Sequence, residues 1–122
     1  MTNACPFCSV GTLYSDSLVS VRFDAYPVTA GHMLVTPRRH VSSLLDLTEE
    51  EYQALFAAGL ASMRKYCDAG DGWNMGVNIG RSSGQTVEHV HLHLIPRRLG
   101  DVADPRGGIR WVMPDSAAYW EP

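Results

Sequence analysis

The run His89-Val90-His91-Leu92-His93-Leu94-Ile95 constrains this chain more than any other segment. Successive side chains of a β-strand point to opposite faces. As a strand, the run puts Val90, Leu92 and Leu94 on one apolar face and His89, His91 and His93 on the other. The apolar face has to be buried against a core. The other presents three imidazoles in a row, with same-face neighbours about 6.8 Å apart at Cα, twice the strand rise. Three of the five histidines in the chain occupy these alternate positions, a concentration that argues against an incidental solvated face. Imidazole titrates near neutrality, attacks electrophiles and ligates metals. The run therefore reads either as a nucleophilic site or as a metal-chelating ribbon.

Other segments supply partners for this strand. Ser17 to Phe23 alternates polar residues with Leu18, Val19, Val21 and Phe23 and reads as a strand. A loop over Asp24 to Gly31 contains Pro27, and His32 to Thr36 forms a short strand stopped by Pro37. Thr48 with Glu51 fits a capping box, and Glu49 and Glu50 suit the positive end of a helix dipole. The helix that follows carries Tyr52, Leu55, Phe56, Leu60, Met63, Tyr66 and Cys67 at helical spacing, a stripe expected to face the sheet. Gly70-Asp71-Gly72 ends it. Trp73 to Ile79 and Glu88 to Ile95 read as further strands, separated by the loop Gly80-Arg81-Ser82-Ser83-Gly84-Gln85-Thr86. Strands around one long helix make an α+β domain.

Length and composition narrow the function. With 122 residues, 45% hydrophobic and 19% charged, the chain is expected to form one domain with a buried core. A formal charge of −3 gives no reason to expect a nucleic-acid duplex or an anionic membrane as partner. The N-terminus lacks a basic segment followed by an apolar stretch, and no run approaches the roughly 18 apolar residues of a membrane span. The expected compartment is the cytoplasm, where the three cysteines read as thiols or metal ligands. Cys5-Pro6-Phe7-Cys8 is a Cys-x2-Cys pair: half of a tetrahedral zinc site, a redox pair, or two plain thiols.

Ser83 to Arg97, containing Gly84-Gln85-Thr86 and His89-Val90-His91-Leu92-His93-Leu94-Ile95, resembles the signature of the histidine-triad (HIT) family: His-φ-His-φ-His-φ-φ after Gly-Gln-Ser/Thr, with φ apolar. Ala30-Gly31-His32-Met33-Leu34-Val35-Thr36-Pro37-Arg38-Arg39-His40 resembles its second landmark, Pro-Gly-His-x-Leu-Val-x-Pro-x-x-His. The resemblance covers about residues 4 to 98, leaving 99–122 as a C-terminal tail of a single domain spanning 1–122. Pro96-Arg97 leans toward the branch of fragile-histidine-triad proteins and diadenosine-polyphosphate hydrolases.

The resemblance implies a HIT-like α+β fold: a five-stranded antiparallel sheet, one long helix and a short one, in a homodimer. It implies a small-molecule nucleotide substrate, cleaved at an α-phosphorus through a nucleotidyl-histidine intermediate. Dinucleoside polyphosphates are the favoured substrates. A nucleoside phosphoramidase, or a nucleotide sensor with little turnover, is the alternative. His91 matches the nucleophile, His93 and His32 the histidines that orient it or face the phosphate, and Thr86 the phosphate-contacting hydroxyl. Asp24, Asn78 and Gln85 match nucleotide-binding positions. Some members complete a structural Cys2His2 zinc site at the positions of Cys5, Cys8, His40 and His89. No organic cofactor is implied. Arg106 and Arg110 in the tail are candidate partners for distal phosphates.

Overall fold

The computed structural model describes residue 5, residues 12–66 and residues 71–121. Among them, five antiparallel strands build one sheet in the order β1-β2-β3-β5-β4. These are β1 (Tyr14–Ser15), β2 (Val19–Phe23), β3 (Met33–Pro37), β4 (Gly72–Gly76) and β5 (Leu92–Arg97). Four of them overlap strands expected from the sequence, whereas β1, two residues long, has no signal except the family resemblance.

The long helix α1 (Glu49–Tyr66) begins as the capping box requires. The Glu51 N–H donates to Thr48 Oγ1 at 3.1 Å, and the Thr48 N–H donates to Glu51 Oε1 at 2.9 Å. Arg39 clamps the same carboxylate at 2.7 Å, which holds Glu51 down to about 2. Leu55 joins Val19, Val21, Met33, Val35, Leu92 and Leu94 in the core between helix and sheet.

The expected helix stripe is only partly the buried one. Tyr52, Phe56 and Leu60 stand 43%, 38% and 45% exposed. The face that is buried runs through Glu51, Leu55, Gly59 and Ser62. Small residues bring the helix close, since a Cβ at position 59 would meet Leu92 Cδ2 at 3.2 Å. Shape therefore overrides hydrophobicity in choosing the face. Met63 and Tyr66 pack partly buried against the core as expected, while Cys67 lies outside the described residues.

Two strand boundaries also differ from the sequence reading. β4 stops at Gly76 and leaves Asn78 on an irregular segment. β5 starts at Leu92, so His89 lies in a bend and only His93 of the three histidines is within the strand. The end of β3 has a different partner there: the Pro37 carbonyl accepts from His89 Nε2 at 2.7 Å. Beyond β5, a short helix α2 (Pro114–Ala117) closes the described tail. Arg106 pairs with Asp104 at 2.9 Å, and Arg110 donates to the Ala117 and Ser116 carbonyls, so both serve the tail's own structure.

Candidate active site

One face of the sheet is closed by α1. The other carries the histidines, and the bend at His89 divides them into two groups. His91 is 7% exposed, with Nδ1 2.8 Å from the His89 carbonyl oxygen. A carbonyl only accepts, so the neutral ring holds its proton on Nδ1 and keeps the lone pair on Nε2. The His93 ring stands 5.0 Å away, centroid to centroid.

Behind His93 the proton directions are equally determined. The Val28 N–H donates to His32 Nδ1 at 3.1 Å, which leaves the His32 proton on Nε2. That Nε2 lies 2.9 Å from His93 Nδ1 and 3.4 Å from Asp24 Oδ2. His93 thus accepts at Nδ1 and carries its own proton on Nε2. Burial pushes His93 down to about 4, assisted by the neighbouring His91 and His32. Burial also lowers His32, against the opposing pull of Asp24. Both rings are neutral at pH 7, as this hydrogen-bond chain requires.

A cavity of about 700 Å³ opens beside these rings. Asp24, Asn78, Thr86, His91 and His93 all line it, drawn from four separate stretches of chain. Asp24 Oδ1 caps a turn by accepting the Tyr26 N–H at 2.9 Å, while Oδ2 faces His32. His32 is 3% exposed and supports His93 from behind. The Gln85 side chain ties the loop together and is not among the residues that line the cavity. Its Nε2 donates to the Ser42 and Val87 carbonyls at 2.6 and 3.0 Å, and its Oε1 accepts the Gly80 N–H at 2.9 Å.

The second group is Cys5, His40 and His89, whose ligand atoms lie within 4.8 Å of one another. His89 is fully buried; its Nε2 proton goes to Pro37, so the Nδ1 lone pair faces Cys5 Sγ at 3.2 Å. Burial lowers the His89 pKa, keeping it available as a neutral ligand. Cys8 lies outside the described residues.

Sequence reasoning missed Arg22, which is 6% exposed and lines the cavity. The available signal was its position two residues before Asp24 on an alternating strand. Its polarity suggested a solvated face, but the outer face of this sheet is buried too.

The chain is similar to several known proteins. A bis(5'-adenosyl)-triphosphatase from Dictyostelium discoideum is 44% identical over 77 residues, 62% of this chain and 52% of that protein. An AP-4-A phosphorylase from Mycobacterium tuberculosis is 40% identical over 87 residues, 69% of this chain and 45% of that one. The chain thus spans about half the length of these two relatives. A crystal structure of a zinc-bound histidine triad family protein from Mycobacterium smegmatis superposes with a TM-score of 0.71 at 34% identity, covering 83% of this chain and 80% of that one. With the HIT domain matched from residue 10 to residue 100 on a sheet that presents its histidines in this arrangement, the chain belongs to the HIT family.

Proposed function

We propose that the protein is a nucleotide hydrolase in which His91 attacks an α-phosphorus of a dinucleoside polyphosphate. The observation that carries this reading is the His91 Nδ1 proton held on the His89 carbonyl, which leaves a lone pair on Nε2 of a cavity-lining ring. Attack forms an Nε2–P bond and breaks the P–O bond to the leaving polyphosphate. Water then forms a new P–O bond and breaks P–N, releasing a nucleoside monophosphate and restoring the ring. His93 offers its Nε2–H to a phosphoryl oxygen, a donor that His32 and Asp24 hold in one tautomer. Thr86 adds a hydroxyl from the loop that Gln85 fastens, and Asp24 and Asn78 bind ribose or phosphate. The names of the triphosphatase and phosphorylase relatives support this substrate class.

The test is product-resolved turnover of a diadenosine polyphosphate and an adenosine phosphoramidate by wild type and H91A. Turnover of the polyphosphate that is lost in H91A supports the hydrolase. A strong preference for the phosphoramidate moves the protein to the alternative branch. Binding without turnover of either overturns the enzyme and leaves a sensor.

The Cys5–His40–His89 group fits zinc: one thiolate and two imidazoles around a point, with the His89 lone pair already directed there. Cys8 completes a tetrahedral set in this reading. A closed site of this kind is structural, and its chemical contribution when loaded is to hold the N-terminus against the bend before His91. The zinc-bound relative supports the assignment. Among the described residues no helix is long and apolar enough to cross a membrane. The same reading makes the protein a cytoplasmic homodimer, paired through apolar surface such as the exposed Ile109, Trp111 and Val112 of the tail.

A further inference from the structure

The hydrogen bond between His32 and His93 crosses two strands at a point where their pairing has ended. β3 and β5 are in register from Val35 with Leu92 to Met33 with Leu94, and no further. His32 stands one residue before Met33, outside that ladder, yet its Nε2 lies 2.9 Å from His93 Nδ1. A hydrogen bond between two rings tolerates little drift, because it weakens steeply as distance and angle leave their optimum. Something other than the ladder has to hold the backbone of His32 against β5.

Thr29 does so with two groups. Its carbonyl accepts the His32 N–H at 3.2 Å and closes a four-residue turn. Gly31, third in that turn, takes a φ of 90°, as a type II turn requires. The Thr29 hydroxyl donates to the Pro96 carbonyl at 2.9 Å, on the same strand as His93. Pro96 is fully buried, so its carbonyl draws its partner from within the protein. The residue before Thr29 completes the arrangement, since the Val28 N–H sets the His32 tautomer at Nδ1. One hydroxyl thus moors the turn that supplies both the position of His32 and its proton direction. Arg98 Nη2 reaches the same turn at the Ala30 carbonyl, 3.0 Å away, but that contact is exposed and water can take its place.

We propose that Thr29 is a positioning residue for the histidines of the site: its hydroxyl holds His32 in register with His93 and so fixes the His93 tautomer. The consequence for turnover rests on the hydrolase reading above, in which His93 donates from Nε2. Thr29 is not among the residues that line the histidine cavity, so it acts through His32 alone.

The experiment compares wild type, T29V, T29S and T29A by turnover of diadenosine triphosphate and by nitrogen NMR of the histidine rings. Ring nitrogen shifts separate a protonated nitrogen from a bare one, and the His93 signals are those missing in H93Q. T29V keeps the branched shape without the hydroxyl, T29S keeps the hydroxyl, and T29A covers the case in which T29V does not fold. T29V and T29A are expected to lower kcat by roughly 10-fold with KM nearly unchanged, the scale of a small misplacement of reacting groups. Their His93 ring should show both tautomers at pH 7, where the wild-type ring shows one. T29S should return both readings toward wild type. A T29V ring that keeps the wild-type tautomer overturns the inference even if Tm falls, because Thr29 is then ordinary scaffold. So does a wild-type ring that is itself mixed, or a T29S protein that behaves like T29V. If wild type hydrolyses no nucleotide, the hydrolase reading falls, and the tautomer comparison still decides the role of Thr29.

Discussion

Two groups of imidazoles sit a few residues apart in sequence and differ in almost every physical respect. Asp24, His32 and His93 form a proton relay beside an open cavity, each ring neutral and each tautomer fixed by a neighbour. Cys5, His40 and His89 converge on a single point, with the His89 ring wholly buried. The same residue type serves both because imidazole has two nitrogens, and what its second nitrogen touches decides the task of the first. His91 belongs to the first group by its ring and to the second by its anchor, since the backbone of His89 holds its proton. Rate and stability are therefore expected to separate along this division.

The largest effect is expected at the nucleophile. H91A should lower turnover by on the order of 10⁴-fold or more with little change in melting temperature. A residual rate within 10-fold of wild type would remove His91 from the chemistry. The opposite profile is expected at His89. H89A empties a buried site and orphans the Pro37 carbonyl, costing about 3 kcal/mol or roughly 10 °C in Tm, and should abolish stoichiometric zinc measured by elemental analysis. Its rate well below the melting point should fall by about 10-fold, the scale of a lost supporting contact. Equal zinc content in wild type and H89A would dissolve the division.

His32 tests the relay. H32L should reduce kcat by about 10²-fold, leave KM nearly unchanged and alter the acid limb of the pH–rate profile, because His93 loses the donor that sets its tautomer. A change confined to Tm would make His32 merely structural. The smallest effect is the pH dependence of stability. His93 titrates near 4 in the folded protein against an ordinary value of 6.5. The unfolded chain binds more protons between those values, so stability is full above about pH 6.5 and declines toward pH 4. Thermal melts should show a loss on the order of 5 °C across that window, reduced in H93Q. Glu51, held near 2 by Arg39 from an ordinary 4.5, gives a separate loss below pH 4.5 that H93Q should leave in place.

Much of this division was legible before any coordinates. Alternation located β2 and β5, a short apolar run stopped by Pro37 located β3, the capping box located the start of α1, and the family resemblance named the cavity residues Asp24, Asn78 and Thr86. What escaped has physical causes. Strict alternation placed His89, His91 and His93 on one strand face, but the chain straightens only at Leu92, and a bend is invisible to a period-two pattern. Hydrophobicity chose Tyr52, Phe56 and Leu60 for the core, whereas close packing selected Gly59 and Ser62. Arg22 was passed over because burial on the second face of a sheet depends on what covers that face, and strand polarity alone does not reveal it.

The loop that carries Thr86 owes its shape to one primary amide. Gln85 gives both hydrogens to carbonyls and takes one from Gly80, so it stitches positions 42, 80 and 87 with a group that is simultaneously donor and acceptor. Spontaneous deamidation at this position would exchange the donor end for an oxygen facing two other oxygens. A single atom swap, without any change in chain length or size, would then loosen the phosphate-facing loop. Deamidation of this one side chain, which is not among those that line the cavity, is therefore expected to lower turnover.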